Sequence, residues 1–249
     1  FPDLPRLPAR PRLDRVVTAA GVDLAWDGKA YSTPSRLADT TLASRASTVQ
    51  VTVRSGTATG TGTAEDARLV ESVSARSFLA LGAPAHRLDE AAAALVDRHG
   101  AEIVDVTGVL LDALRAQAAS KGVPWDAVRA ADAAEPGSRP ALGLASLVRA
   151  AIPAIEAAVG DAAAGKPEGT RPVLLVEAAP LARYEHTELI TRLADLTFRR
   201  PQAIWLLLPQ DPVGGAVLDG VPLRLGHGGQ FLRLDEDWLR RPALEGEPA

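Results

Sequence analysis

The 249-residue chain contains no cysteine and no methionine, and only 4% of it is aromatic. The missing cysteines exclude disulfide bridges and thiolate metal sites. Lysine is nearly absent too: Lys29, Lys121 and Lys166 stand among 27 cationic residues, the rest being arginine. This bias points to a GC-rich genome, and it leaves few side chains for phosphate chemistry that depends on a lysine. No uninterrupted apolar run reaches the roughly 18 residues of a membrane span, and the N-terminus lacks the charged-then-apolar pattern of a signal peptide. The expectation is a cytoplasmic protein without a membrane partner. The chain begins at Phe1 rather than at a methionine, as expected of a segment of something longer.

What is present is a globular composition. With 47% apolar residues, a chain of this length can bury one sizeable core or two smaller ones. The net charge of −4 is unevenly spread: residues 1–55 hold eight Lys/Arg against five Asp/Glu, and the remainder nineteen against twenty-six. A mildly basic start is weak support for nucleic-acid binding, which usually shows a dense basic stripe.

Residues 1–11 carry too many prolines for a helix or central strand and read as an extended lead-in. Leu13, Val16, Val17 and Ala20 then recur at helical spacing, and Gly21 supplies a stop. Val22-Asp-Leu-Ala-Trp26 and Lys29-Ala-Tyr-Ser32 flank Asp27-Gly28, a strong hairpin signal, with Trp26 and Tyr31 packing across it. A helix running into a hairpin predicts a small winged-helix-like module over 1–55. The expected strand at 47–54 leads into a Gly/Thr linker at 56–64, whose run Ser55-Gly-Thr-Ala-Thr-Gly-Thr-Gly-Thr63 has no core residue.

Over 65–249 the pattern predicts an α/β domain. Helices are expected at 65–75, 88–99, 109–120, 144–163 and 187–199, with a short one opening at Val123-Pro-Trp125. Pro153 should kink or restart the fourth, and Leu189, Leu193 and Leu196 should face inward on the fifth. Strands are expected at 77–81, 102–106, 172–178 and 203–208, with further apolar runs at 221–225 and 230–234. Continuous apolar strands separated by helices imply a parallel sheet covered on both faces, a doubly wound arrangement.

Val173-Leu-Leu-Val-Glu177 and Ile204-Trp-Leu-Leu-Leu208, one helix apart, are spaced as P-loop ATPases space an acidic strand and a polar sensor strand. Glu177 stands where such an enzyme holds magnesium, Ala178 replaces the second acid, and Pro209-Gln210 occupies the sensor position. The phosphate loop needs glycines and a lysine. Ser55 to Thr63, the glycine-rich candidate, has no lysine and the wrong spacing. The core therefore reads as a degenerate P-loop-like one, Glu177 being a degenerate acidic strand end.

No residue qualifies as catalytic and none as a metal ligand. His86, His99, His186 and His227 lie far apart, outside any metal-ligand spacing; His86 and His186 read as helix-start or surface residues, and His227, in Gly226-His-Gly-Gly229, as part of an exposed turn. In the N-terminal module, Arg12, Arg15 and Lys29 are candidate contacts to DNA phosphates, with a protein-docking role for the same module as the alternative.

The lead-in Phe1-Pro-Asp-Leu-Pro with Arg10-Pro-Arg-Leu-Asp14, then Ala20-Gly-Val-Asp-Leu-Ala-Trp-Asp27, Gly122-Val-Pro-Trp125 with Ala131-Asp132, Pro172-Val-Leu-Leu-Val-Glu-Ala-Ala-Pro-Leu-Ala-Arg-Tyr184 and Trp205-Leu-Leu-Leu-Pro209 together resemble the C-terminal region of the PglW-type serine/threonine kinases of actinobacterial Pgl (type 2 BREX) phage-defence systems. The kinase signatures themselves, a glycine-rich loop with a strand lysine, His-Arg-Asp and Asp-Phe-Gly, are absent. The resemblance thus implies a non-catalytic binding or regulatory module, without a cofactor, that works with other components of a defence complex or with DNA. The alternative is an AAA-like ATPase domain, using ATP and magnesium, with its phosphate loop degenerate or supplied elsewhere.

Overall fold

Buried parallel strands must be apolar on both faces, and the runs Phe78-Leu-Ala-Leu-Gly-Ala83, Val173-Leu-Leu-Val176 and Ile204-Trp-Leu-Leu-Leu208 meet that requirement. In the computed structural model, which describes residues 25–26, 31–32, 64–211 and 214–241, these runs are the middle of a sheet. The chain divides into two units, residues 1–59 and 60–249.

Of the first unit, strands β1 (Ala25–Trp26) and β2 (Tyr31–Ser32) are described. They pair antiparallel, Ala25 opposite Ser32 and Trp26 opposite Tyr31, which is the pairing that Asp27-Gly28 predicts. The turn itself, the expected helix before it, Arg12, Arg15 and Lys29, the expected strand at 47–54 and residues 56–63 of the linker lie outside the described residues.

In the second unit, helix α1 (Ala64–Ser74) precedes β3 (Phe78–Ala83), a single 3-10 turn (Ala85–Arg87) and α2 (Leu88–His99). Then come β4 (Glu102–Asp105), α3 (Val106–Ser120), α4 (Trp125–Asp132), α5 (Arg139–Ala163) and β5 (Val173–Val176). The short helices α6 (Ala179–Arg183) and α7 (Glu188–Ala194) lead to β6 (Ile204–Pro209). A small antiparallel pair, β7 (Val217–Leu218) with β8 (Val221–Pro222), precedes β9 (Phe231–Arg233) and α8 (Glu236–Arg240).

The five long-range strands are all parallel, in the order β4-β5-β6-β3-β9. Their side chains alternate between two cores. Phe78, Ala80, Val104, Leu175, Leu206 and Leu208 face α3 to α7, and Leu79, Leu81, Leu174, Trp205 and Leu232 face α1, α2 and α8. Close packing at one point depends on glycine: a Cβ on Gly82 would lie 2.9 Å from Cζ of Phe231 on the neighbouring strand. Gly100 ends α2 with φ 63°, its N–H donating to Val96 O at 2.8 Å, a left-handed cap that suits glycine.

The expected helix at 88–99 has those bounds, while others differ. α3 begins three residues earlier than the spacing implies, because Asp105 accepts from Gly108 N at 2.9 Å and starts the helix directly from β4. α5 starts at Arg139, capped by Ser138, with Pro140 in its first turn, and runs through Pro153 as one element of 25 residues rather than restarting. That helix is long and apolar enough to cross a membrane by length and composition; its stripe from Leu144 through Ile155 to Ala163 is packed in the core.

The expectation of a helix over 187–199 is corrected. It stops at Ala194, since Asp195 turns extended and its carboxylate accepts from Thr197 N and Oγ1, both at 2.8 Å. Leu196 is therefore not inward but 62% exposed. The expected strand end at 178 is also too late: β5 closes at Val176, and Ala179-Pro-Leu-Ala-Arg183 forms α6 instead.

Candidate functional site

In a parallel sheet the crevice beyond the carboxyl ends of the strands, where successive connections leave to opposite faces, is the usual binding site. Here that place is between β3 and β6. The chain leaves β3 for α2 on one face, and leaves β6 for the segment of Ala216 and Leu218 on the other. There the β3–β6 ladder runs on past the strand ends, Gln210 N donating to Ala83 O at 2.7 Å.

The loop leaving β3 is where this fold would present backbone N–H groups to a phosphate. Its sequence is Ala83-Pro-Ala-His-Arg87, with no glycine or lysine, and Asp89 and Glu90 fill the first turn of α2. Arg87 donates to Glu90, its Nε lying 2.6 Å from Oε2, so its charge is already matched. That hydrogen bond holds the Glu90 carboxyl below the usual carboxylate range. The N-terminus of α3 is capped by Asp105 and that of α8 by Asp235, which accepts from Trp238 N at 2.7 Å.

Glu177 sits directly after β5 rather than inside the strand expected over 172–178, with its side chain exposed and its backbone left-handed at φ 51°. That conformation is costly for a residue with a Cβ. It is held by Thr107 Oγ1, which donates to Glu177 O at 2.6 Å and ties the turn to the start of α3. Beside Glu177 is a cleft of about 310 Å³, where Leu88, Asp89 and Ala92 of α2 face Ile103, Val176 and Glu177 of the sheet. Ile103 is 48% exposed there, on the edge strand β4. The cleft joins apolar walls to two carboxylates, and no cationic side chain lines it.

Near α6, two stretches that carry the sequence resemblance meet. Asp132 accepts from Tyr184 Oη at 2.8 Å and from Arg183 Nη2 at 2.9 Å, joining α4 to the end of α6. The tyrosine bond, with the arginine, lowers the Asp132 carboxyl below its ordinary value despite some burial. Burial, with the same bond, pushes the Tyr184 phenol up.

His86 lies exposed in the 3-10 turn. His186 Nδ1 is 3.1 Å from Glu188 Oε1, just before α7. His227 Nδ1 accepts from Gly229 N at 3.0 Å, capping a turn. His99 differs from the other three: its Nε2 is buried without a hydrogen-bond partner, and the ring meets Trp205 edge-on at 5.4 Å. Its place as the last residue of an amphipathic helix was the available signal. Among the described residues no group of three or more His, Asp or Glu could hold a metal ion.

Comparison with known proteins finds sequence similarity to part of a large protein. Over 149 residues the chain is 35% identical to "Probable kinase PglW" of Streptomyces coelicolor, a match that takes in 57% of this chain and 9% of that protein. No family model matches the sequence, and no solved structure matches it significantly. The sequence resemblance to the PglW-type kinases is thus borne out as similarity to part of a much longer protein.

Proposed function

We propose that residues 60–249 form a non-catalytic binding and regulatory module of a large cytoplasmic phage-defence protein of the Pgl (BREX) type, whose kinase domain is not in this chain. One observation carries the reading: the carboxyl edge of the sheet offers carboxylates and apolar walls where a nucleotide needs cations and open N–H groups. Asp89 and Glu177 face a shallow cleft with Leu88 and Ile103, chemistry that suits basic and apolar side chains of a protein partner from the same defence complex. No cofactor enters this reading.

The second reading, a degenerate P-loop-like, AAA-type ATPase domain, draws on the neighbour order β5-β6-β3. That order brings an acidic strand end, a sensor position at Gln210 and the loop after β3 together, and Glu177 would then face a magnesium ion. Calorimetric titration with ATP and magnesium separates the two. The module reading expects no heat of binding, whereas binding that disappears in Glu177→Gln would favour the ATPase reading in its place.

For the first unit the proposal is contact with DNA phosphates through Arg12, Arg15 and Lys29, motivated by its basic balance and its paired strands. Three such contacts give a slope of about −2 to −3 in log affinity against log salt. Fluorescence anisotropy on a labelled duplex reads that slope, and replacing all three with alanine should flatten it. An unchanged slope would make the unit a protein-docking surface.

A further inference from the structure

A larger cleft, of about 830 Å³, opens at the other end of the strands, where α5, α7 and the segment 195–202 diverge around the start of β6. Its size is that of small-molecule sites. Val159 of α5 and Leu189 and Leu193 of α7 form apolar walls, and Phe198, 49% exposed, stands at the mouth.

The charges around it are unevenly matched. Glu156 is bound to Arg192, and the Asp195 carboxylate is taken up by Thr197. Arg199 is exposed and makes no ion pair or hydrogen bond among the described residues. Arg200 is 8% exposed, and every acceptor it uses is a main-chain carbonyl: Leu193 O from Nε at 3.0 Å and Nη2 at 2.6 Å, Asp195 O at 2.6 Å and Arg76 O at 3.4 Å. These four bonds leave one of its five N–H donors unused. Burial lowers the Arg200 pKa against the pull of Asp195, and its guanidinium lies over the Phe198 ring at 5.6 Å.

We propose that this cleft binds an amphipathic anion, with an apolar body against Val159, Leu189, Leu193 and Phe198 and a carboxylate, sulfonate or phosphate group on Arg199 and Arg200. Apolar walls supply the contact area, and a guanidinium bond to an anion is stronger than a neutral one and fixes the orientation. The site is independent of the cleft beside Glu177.

Two dyes with nearly the same body separate the contributions: 8-anilinonaphthalene-1-sulfonate, and N-phenyl-1-naphthylamine, which lacks the sulfonate. Titrated into the full chain, the sulfonate should show saturable one-to-one fluorescence enhancement. Arg199→Gln should weaken the sulfonate by about tenfold, the factor expected from losing one charge-assisted bond, and leave the neutral dye unchanged.

Gly160→Leu is the blocking variant. Gly160 lines the cleft, and a Cβ there meets no atom within 4 Å. In a helix interior leucine is favoured over glycine, so this variant should fold at least as well. It should reduce binding of both dyes. Absence of saturable binding, wild-type binding by Gly160→Leu, or an equal response of the two dyes to Arg199→Gln would overturn the proposal.

Discussion

His99 shows how one side chain can make stability depend on pH. Its Nε2 is 3.9 Å from Asp66 Oδ1, beyond a hydrogen bond, and its ring is wedged against Trp205. Burial lowers its pKa, with Asp66 opposing and Arg98 adding to the shift. A histidine with a depressed folded pKa is protonated more readily when unfolded. Its contribution is therefore complete above the unfolded value of about 6.5 and is lost as pH falls through that value toward the folded pKa. Urea denaturation between pH 8 and pH 5 should show stability falling in that window, and His99→Phe should remove part of the slope. Carboxylates titrate at lower pH, so the difference between the two proteins from pH 7 to pH 5 is the readout. Identical slopes would mean that His99 is protonated in the fold without penalty.

At the scale of elements, local signals decide how much of the fold is legible. β3, β5 and β6 are plain in the sequence because both faces are buried and each run is uninterrupted, and α2 is plain because Gly100 stops it. α6 and α8, five residues each, are too short to show a period. The end of α7 is misread because Leu196 continues the leucine spacing, while the turn that Asp195 makes with Thr197 overrides it. In the site, the apolar run before Glu177 is legible but the end of its strand is not, and the bond from Gln210 N to Ala83 O joins residues far apart in the chain and leaves no local trace. Asp105 is the converse, a cap that the sequence did contain. Asp105→Ala should cost about 1 kcal/mol, the usual loss of an N-cap acceptor, read as a shift of the urea midpoint with unchanged slope. A loss below about 0.3 kcal/mol would mean that the β4 to α3 junction is held by packing alone.

At the scale of the whole molecule, the two core clusters, among the described residues, run from Leu69 to Leu239, inside the second unit. A fragment of 60–249 should accordingly unfold cooperatively, with coincident far-UV circular dichroism and tryptophan fluorescence transitions. The test of what holds it is the face on which, among the described residues, α1, α2 and α8 pack on the sheet. Trp238 of α8 is fully buried there, and its Nε1 donates to Asp66 Oδ1 at 2.8 Å, so that α8 is joined to α1 across the sheet. Arg98 of α2 stacks over the same indole at 4.4 Å and donates to Trp238 O at 3.1 Å. One side chain thus touches both of the other helices on that face. Trp238→Ala should lower the stability of the fragment by about 3–5 kcal/mol, the range for removing a large buried aromatic, and a domain of this size has only about 5–15 kcal/mol in total. Trp238→Phe keeps most of the packing and loses the bond to Asp66, so it should fall between. If Trp238→Ala unfolds at the wild-type urea concentration, the α1, α2 and α8 layer contributes nothing cooperative, and the fold rests on the α3 to α7 side of the sheet.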